Sequence, residues 1–222
     1  MTVAVGDIHG MFDKLERLLS LVRRRINARH RGGPIQFVIL GDYFDRGPDS
    51  RAVMDCVREL QSSGAICLRG NHEELLIQSS ESDRDMRAFL RNGGDQTLAS
   101  LGTSDGIRDA IDWAASLPHA YEDELRYFVH AGTMPGVPLN EQRPEDQLWI
   151  RAPFLGHGEL YSKYVVHGHS ATIRQPGQSR KVHVLSNRCN VDTGAVYGGP
   201  LSAVIFAASR RLPIDVVSTD DA

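Results

Sequence analysis

The chain has 222 residues and a hydrophobic fraction of 41%, enough to bury the core of one large domain without disulfides. Its formal net charge of −3 gives no global signal for nucleic-acid binding, and no apolar run approaches the ~20 residues of a membrane helix. The cysteines, Cys56, Cys67 and Cys189, form neither a CxxC pair nor a disulfide framework, and no targeting segment is visible, so we expect a cytoplasmic protein.

Strand–loop–helix units repeat along roughly the first 80 residues. Their strands are short apolar runs that end at glycine-containing loops. They are predicted at Thr2–Val5, 35–40 and 65–68. Apolar residues at helical spacing over 12–26 predict a first helix, which Gly32 and Gly33 end, and a second helix is predicted over about 50–61. The repeat indicates an α/β architecture with much parallel pairing.

The middle of the chain, roughly 80–118, is polar, with helical patterns that glycines interrupt. We interpret it as a helical insertion or cap. Short strands dominate after it, predicted at 127–129, 164–166, 182–185, 190–192 and 201–206. These strands suggest a second sheet that faces the first. Since no linker and no repeat of fixed period is visible, we expect one catalytic domain over 1–222.

Polar side chains follow several of the predicted strands, at points where packing alone would not place them. The set combines carboxylates, one amide and imidazoles: Asp7, His9, Asp42, Asn71, His130 and His169. In sheets with parallel strands, functional residues gather at the carboxyl ends of the strands. Asp7 and His9 alone are equally compatible with a turn aspartate and an unrelated histidine, but coincidence at every one of these strand ends is a much weaker explanation.

The chemistry of these side chains points to metal ions. Mixed carboxylate and imidazole donors suit Mn, Fe, Zn or Co, and the Asp42 carboxylate can bridge two cations. Two cations about 3.5–4 Å apart form a general device for phosphate-ester hydrolysis, because they activate a bridging water and offset developing negative charge. The sequence therefore predicts a metal-dependent phosphoesterase that acts on phosphate monoesters.

Charged residues beside the ligand candidates complete a catalytic set. His72 follows the amide candidate directly, and Asp45 lies three positions after a carboxylate candidate. A carboxylate partner favours the protonated form of a histidine, which can then donate a proton to a departing alkoxide. The planar guanidinium of Arg46 matches the oxygens of a phosphate, and Arg151 is a further candidate for that role on the strength of its short local motif.

In these segments the sequence resembles the phosphoprotein phosphatase family of metallophosphoesterases, particularly its compact bacterial and phage members. The segments GDIHG, GDYFDRG and GNHE follow one another at a spacing of roughly 30 residues. The later segments FVHAG, VVHGHS, LWIR and DTGAVYGG come in the expected order, and the last two look like the small bacterial branch. The resemblance covers nearly the whole chain.

The resemblance implies a calcineurin-like metallophosphoesterase fold, with two mixed β-sheets packed face to face and helices outside. It implies two divalent metal ions, with Mn²⁺ the first choice and Fe or Zn²⁺ the alternatives. Asp42 would bridge the metals, with Asp7 and His9 completing one site and Asn71, His130 and His169 the other. His72 with Asp45 would be the general acid, and Arg46 and Arg151 would hold the phosphate.

One segment departs from the wider family. Many metallophosphoesterases end in GHxH, with two metal-binding histidines, whereas this chain has Ala171 at the last position. Between His167 and His169 we choose His169 as the ligand, because Gly168-His169-Ser170 matches the family's Gly-His-Thr/Ser segment. His167 is interpreted as a packing residue or as a neighbour of the ligands.

Two substrate classes fit this set of residues. We favour a serine/threonine protein phosphatase acting on phosphorylated proteins or peptides, because an alkoxide leaves poorly and needs the proton that His72 and Asp45 supply. A symmetrical diadenosine tetraphosphate hydrolase is the alternative, although that branch usually lacks an acidic residue at the position of Asp45. A catalytically inactive binding module is third. The physiological substrate and the oligomeric state stay open, a monomer being compatible with the sequence, and specificity is expected in 80–118 and 132–162.

Overall fold

The computed structural model describes residues 1–29 and 34–221. The predicted end of the first helix at Gly32 and Gly33 lies outside the described residues. Within the described ranges, every helix is too short or too polar to cross a membrane.

A first sheet of five strands has the spatial order β10-β9-β1-β2-β3. Its strands are β1 Thr2–Val5, β2 Gln36–Ile39, β3 Ile66–Cys67, β9 Ser202–Phe206 and β10 Asp215–Ser218. The β1, β2 and β3 strands run parallel, whereas β9 and β10 pair antiparallel at the other edge. Because these three neighbouring strands are parallel, their carboxyl ends and the loops that follow them lie at the same edge of the sheet.

A second sheet of five strands has the order β4-β5-β6-β8-β7. Its strands are β4 Ala120–Glu122, β5 Arg126–Val129, β6 Tyr164–His167, β7 His183–Val184 and β8 Arg188–Asn190. The central β5, β6 and β8 strands are parallel, and β4 and β7 pair antiparallel at the edges. Both sheets are therefore mixed, and the predicted fold class is confirmed.

Alternation of side chains along each strand builds a core on both faces of the first sheet. Ala4 and Val38 pack with Phe128 and Val166 of the second sheet, so one apolar cluster lies between the sheets. Val3 and its neighbours on the opposite face pack against helices in a larger cluster. This packing explains why the central strands are apolar throughout rather than alternating with polar residues.

The helices cover the outer faces and several loops. They are α1 Phe12–Arg29, α2 Ser50–Ser62, α3 Asn71–Gln78, α4 Asp83–Phe89, α5 Asp95–Leu101, α6 Ser104–Ser116, α7 Pro144–Trp149 and α8 Ala152–Leu155. A π-helical turn, Leu90–Gly94, joins α4 to α5. The predicted insertion, roughly 80–118, contributes Phe89, Leu101 and Trp113 to the apolar cluster that also contains the buried side chains of α1. The predicted insertion thus packs on the first sheet.

One predicted strand lies in a different sheet from the one expected, and two strands of the structure were not predicted. The strand predicted over 201–206 was expected in the second sheet, but β9 lies beside β1 in the first, with Thr2 opposite Phe206. The edge strands β4 and β10 were not predicted, since they are short and largely half-exposed, which gives them a weak apolar pattern. The other strand positions agree within a few residues.

Candidate metal centre

The six predicted ligand residues lie together at the carboxyl ends of β1, β2, β3, β5 and β6. Each is at least nine-tenths buried, although five of the six still line one open cavity of about 400 Å³. Side chains from distant parts of the sequence thus converge on one point between the two sheets. That convergence is what the strand-end pattern predicts for parallel strands.

Asp42, Asn71, His130 and His169 form one close group of donor atoms. The His130 Nε2 atom lies 2.9 Å from Asn71 Oδ1 and 3.4 Å from Asp42 Oδ1. The His169 Nδ1 atom lies 2.7 Å from the same amide oxygen and 3.2 Å from His130 Nε2. These four atoms are the predicted ligands of one cation.

His9 and Asp42 form the start of a second group. His9 Nε2 lies 3.4 Å from Asp42 Oδ2, and His72 Nε2 lies 4.0 Å from that oxygen. Asp42 therefore offers one carboxylate oxygen to each group, as a bridging ligand must. Asp7 stands beside this group rather than within the His9–Asp42–His72 cluster, and its carboxylate accepts the His169 backbone N–H.

Backbone carbonyls fix the ring orientation of two imidazoles. The Nδ1 of His9 lies 2.7 Å from the Phe44 carbonyl, and the Nδ1 of His130 lies 2.9 Å from the Leu40 carbonyl. A carbonyl only accepts, so each Nδ1 donates its N–H and each Nε2 keeps a lone pair toward the cluster. This is the arrangement that outer hydrogen bonds impose on metal-binding histidines.

The protonation states of the cluster also suit a metal. Burial lowers the pKa of His9 to about 3, and it lowers the pKa values of His130 and His169 as well. Burial opposes ionisation of Asp42, but the surrounding imidazoles, His130 first, hold the pKa of its carboxyl well below the ordinary value. At neutral pH the cluster therefore presents neutral imidazoles and a carboxylate, the forms that bind cations.

A further buried carboxyl, that of Asp192, was missed by the sequence reasoning about the site. It lines the cavity and accepts the Gly194 backbone N–H at 2.9 Å. Burial raises the pKa of Asp192 to about 6, and burial together with Asp192 raises the pKa of Asp7 well above its usual value. Cations would offset this concentration of negative charge, so the donor set fits a pair of divalent ions. The DTGAVYGG segment was the available signal.

Glycine permits the close approach of backbone and ligand at the second sheet. A Cβ atom at Gly168 would lie 2.1 Å from Asp7 Oδ1, a distance that no side chain could tolerate. Left-handed backbone marks the same region: non-glycine residues there with positive φ are His9, Asp42, Asp45, Arg46 and His169. Such conformations cost about 1–3 kcal/mol each and cluster at functional sites.

The predicted acid pair is formed beside the candidate metal ligands. His72 Nδ1 lies 2.6 Å from Asp45 Oδ2, and both side chains are almost fully buried. The other Asp45 oxygen accepts a 2.6 Å hydrogen bond from the Thr97 hydroxyl. Burial raises the pKa of Asp45, while the contacts with His72 and Thr97 oppose that rise. Thr97 was not predicted, because no local motif links it to the site.

Both predicted arginines line the cavity. The backbone N–H of Arg46 donates to the Gly93 carbonyl in the π-helical turn, and a Cβ at Gly93 would lie 2.8 Å from Arg46 Cγ. Gly93 also has φ +94°, so glycine is required there for two reasons. Arg46 Nη1 reaches His9 Nε2 at 2.6 Å. Arg151 Nη1 donates to the Ser170 hydroxyl at 3.1 Å.

Glu73 holds the end of β2 in place, a role that the sequence reasoning did not assign. Its carboxyl oxygens accept the backbone N–H groups of Gly70, Asp42 and Tyr43, each at 2.8 Å. Burial and the Asp42 carboxylate raise the pKa of Glu73 to about 8, and the three N–H donors oppose that rise. Glu73 therefore positions the bridging ligand candidate through the backbone.

His167 lies apart from the clusters of donor atoms. Its ring packs edge-on against Phe154 at 4.8 Å, and burial lowers its pKa to about 3. Neither of the close His and Asp groups found among the described residues includes it. Its position agrees with the interpretation of His167 as a packing residue.

Comparison with known proteins identifies the family that this geometry represents. The family model for calcineurin-like phosphoesterases matches residues 2–192. The chain belongs to the calcineurin-like phosphoesterase family. This membership confirms the metallophosphoesterase resemblance predicted from the motifs, and the paired donor groups are the candidate site for the divalent metals of a calcineurin-like phosphoesterase.

Similar calcineurin-like phosphoesterases carry different names. Serine/threonine-protein phosphatase 1 of Salmonella typhimurium is 28% identical over 89% of this chain and 88% of its own length. A symmetrical bis(5'-nucleosyl)-tetraphosphatase of Dechloromonas aromatica is 28% identical over 60% of this chain, and that match spans only 44% of its own length. The crystal structure of a candidate diadenosine tetraphosphatase superimposes with a TM-score of 0.69 at 24% identity, covering 98% of this chain and 91% of that one. The last likeness shows the shared fold.

Proposed function

We propose that this protein is a serine/threonine protein phosphatase that hydrolyses phosphate monoesters. The observation that carries the proposal is the His72–Asp45 pair, 2.6 Å apart, beside the candidate metal ligands. A serine or threonine alkoxide is a poor leaving group, so a proton donor at this position lowers the barrier to its departure. The proposal therefore depends on the chemistry of the leaving group.

The six ligand candidates would hold two divalent cations, with Mn²⁺ the first choice. When bound, such cations supply Lewis acidity that makes water nucleophilic near neutral pH and offsets the charge of the phosphate. The buried carboxyl groups of Asp7, Asp42 and Asp192 support cation binding at this point, because a cation would offset the negative charge that burial disfavours on Asp7 and Asp192. Mixed nitrogen and oxygen donors favour Mn, Fe or Zn over Mg or Ca.

The arginines orient the phosphate. Arg46 and Arg151 line the cavity, and neither is paired with a carboxylate within the described ranges. Their planar guanidinium groups can donate two parallel hydrogen bonds to phosphate oxygens. Since Arg46 also reaches His9, the phosphate that it binds lies beside the ligand cluster.

The Asp45 carboxylate orients the His72 ring so that Nδ1 faces Asp45 and Nε2 faces the cavity. We assign His72 Nε2 as the atom that gives its proton to the departing oxygen. The Thr97 hydroxyl donates to the other Asp45 oxygen, which restrains the orientation of the carboxylate. These contacts hold the proposed proton donor, His72, in one orientation.

A second candidate function is symmetrical hydrolysis of diadenosine tetraphosphate. Relatives with that name support it, although their matches cover less than half of their own length. The bacterial protein phosphatase matches nearly end to end, and this supports the first proposal. A nucleotide phosphate leaves more easily than an alkoxide, so the His72–Asp45 pair argues for the monoesterase.

Turnover of matched substrates tests the proposed function. We expect phosphoserine and phosphothreonine peptides to be hydrolysed with higher kcat/KM than diadenosine tetraphosphate, with Mn²⁺ present. The reverse ranking would establish the nucleotide hydrolase instead. A metal-loaded protein that turns over none of these substrates, nor p-nitrophenyl phosphate, would be a binding module of the same fold.

Replacement of His72 tests its role as proton donor. We expect His72→Asn to lower kcat for a phosphoserine peptide by ~10²–10⁴-fold. The loss for p-nitrophenyl phosphate should be much smaller, because nitrophenolate leaves without a proton. The measurement is kcat for both substrates at saturating metal, with bound metal determined by elemental analysis.

Metal content separates the two possible roles of His72. His72 lies in a group of close donor atoms with His9 and Asp42, so it has the position of a ligand as well as of an acid. Unchanged metal content in His72→Asn supports the acid. Loss of one metal, with equal losses of kcat for the alkyl and aryl substrates, would make His72 a ligand. Asp45→Asn serves as the paired variant and should reproduce the leaving-group dependence.

A further inference from the structure

The entrance of the cavity carries an arginine that the proposed chemistry does not use. Arg174 lines the cavity and is exposed to solvent. Its guanidinium lies 4.6 Å from the centroid of the Tyr197 ring, a cation–π contact. Within the described part of the chain, its side chain has no hydrogen bond and no carboxylate partner. The guanidinium is thus presented to whatever enters the cavity.

The Tyr197 ring connects this arginine with the phosphate-binding group. The Arg46 guanidinium lies 5.5 Å from the centroid of the same ring. Arg174 is therefore only one side chain away from the position proposed for the scissile phosphate. A substrate whose phosphate is held by Arg46 would have its neighbouring groups near Arg174.

Both segments that carry this pair are firmly held. Lys14 Nζ donates to the carbonyls of Ala195 and Gly199, each at 2.7 Å, and so closes the loop around Tyr197. Arg174 ends a short 3-10 turn, Thr172–Arg174, and its backbone N–H donates to the Ala171 carbonyl at 2.9 Å. A preorganised subsite loses less entropy on binding than a mobile one.

We propose that Arg174, supported by Tyr197, is a second anion subsite that binds an acidic side chain of a phosphopeptide substrate. This inference rests on the proposed protein phosphatase activity. Adjacent residues of a peptide have Cα atoms about 3.8 Å apart, so an aspartate or glutamate one or two positions from the phosphorylated residue can reach the rim. The guanidinium fork of Arg174 matches such a carboxylate.

Paired phosphopeptides test the subsite. Each pair carries glutamate or glutamine at one position from −2 to +2 around phosphoserine. We expect wild type to prefer the glutamate peptide at one or two positions by about three- to five-fold in kcat/KM, as expected for a solvent-exposed ion pair. The preference should reside in KM and weaken at high salt.

Variants of Arg174 and Tyr197 test whether these side chains cause the preference for the glutamate peptide. In Arg174→Gln the ratio of the two kcat/KM values should fall to about one, whereas Arg174→Lys should keep part of it. Tyr197→Phe should keep the preference, and Tyr197→Ala should reduce it. The matched control is Arg108→Gln, whose exposed side chain lies outside the cavity and which should retain both activity and preference. Melting temperatures confirm that each variant is folded.

Several results would overturn the subsite. A preference that survives Arg174→Gln, or that disappears equally in Arg108→Gln, would exclude a specific role for Arg174. An effect of Arg174→Gln on diadenosine tetraphosphate alone would place a nucleotide phosphate there instead. Hydrolysis of the peptides without any preference for an acidic residue would refute the subsite but leave the proposed phosphatase activity intact. Hydrolysis of p-nitrophenyl phosphate without turnover of any peptide would refute both the subsite and the protein phosphatase activity.

Discussion

Single residues decide how many cations the site can hold, and Asp42 is the most important of them. Its two oxygens face different groups of donors, with Oδ1 3.4 Å from His130 Nε2 and Oδ2 3.4 Å from His9 Nε2. The imidazoles keep its pKa well below the ordinary value, so the carboxylate that we propose as the bridge is ionised at neutral pH. Its removal should therefore affect both metals.

We expect Asp42→Asn to weaken the affinity of both metal-binding steps by at least about tenfold. Even mutation of residues that only hydrogen-bond to metal ligands typically lowers metal affinity by about that factor. The measurement is a titration with Mn²⁺ followed by calorimetry. Asp55→Asn is the matched control, because the Asp55 carboxylate is half-exposed on α2 and pairs with Arg51. Weakening of a single step would contradict the bridging role.

The residues that sequence reasoning could identify are those within short glycine-bounded motifs. Asp42 and Asn71 could be proposed as ligands because each lies a few residues after the end of a strand. Glu73 was visible in its motif, but its role depends on three backbone N–H groups that only the folded chain brings to it. Asp192 was signalled only by the DTGAVYGG segment, and Arg174 stands in a segment without a local chemical pattern, so tertiary contacts were needed to place both at the cavity.

At the scale of elements, the region 80–118 does more than cover the core. Thr97 on α5 donates to Asp45 Oδ1 and accepts the Asp45 backbone N–H at 2.8 Å. The π-helical turn before α5 accepts the Arg46 backbone N–H through Gly93. This region therefore positions both Asp45, the proposed partner of the general acid, and Arg46, the proposed phosphate-binding residue.

Replacement of Thr97 tests this positioning. Thr97→Val removes the hydroxyl while keeping the shape, and leaves Asp45 with an unpaired oxygen and an unpaired N–H. We expect a loss of about 1–3 kcal/mol in the free energy of unfolding. We also expect a lower kcat for phosphoserine peptides, with p-nitrophenyl phosphate affected less. Urea denaturation and steady-state kinetics provide the two measurements.

Thr97→Ser is the control for this prediction, because it keeps the hydroxyl and should retain most of the turnover. A Thr97→Val protein with wild-type kinetics on both substrates would show that Asp45 holds its position without α5.

Sequence reasoning located most helices and strands but did not predict every pairing between strands. The strand Ser202–Phe206 is buried throughout, and an apolar run of this kind fits the centre of either sheet. Its antiparallel pairing with β1 joins residues more than 200 positions apart at the Thr2–Phe206 pair. Local periodicity carries no information about such a pairing. The parallel strands β1 to β3 were easier, because consecutive units of the chain are usually adjacent in space.

At the scale of the whole molecule, two sheets contribute the ligand candidates to one site. Asp42 and Asn71 come from the first sheet, while His130 and His169 come from the second. The apolar cluster between the sheets, which includes Val38 and Val166, sets their separation. A cation bound by both sheets would therefore act as a crosslink that the unfolded chain cannot form. Its binding free energy adds to the stability of the fold.

Metal addition and removal should consequently shift thermal unfolding. At a free Mn²⁺ concentration about 100 times Kd, each bound cation adds roughly 2.7 kcal/mol. For a domain of this size, that corresponds to a rise in Tm of about 5–10 °C for each cation. A chelator should reverse the rise. The measurement is differential scanning calorimetry of the protein stripped of metal and then titrated with Mn²⁺.

The choice of cation makes this prediction specific to the donor set. Ca²⁺ prefers an all-oxygen shell, whereas three of the six ligand candidates here are imidazoles, so Ca²⁺ should raise Tm much less than Mn²⁺ or Zn²⁺. Asp42→Asn should lose most of the Mn²⁺ effect, while Asp55→Asn should retain it. Equal stabilisation by Ca²⁺ and Mn²⁺ would point to exposed carboxylates as the binding groups. Unfolding that ignores Mn²⁺ altogether would mean that the converging side chains hold no cation.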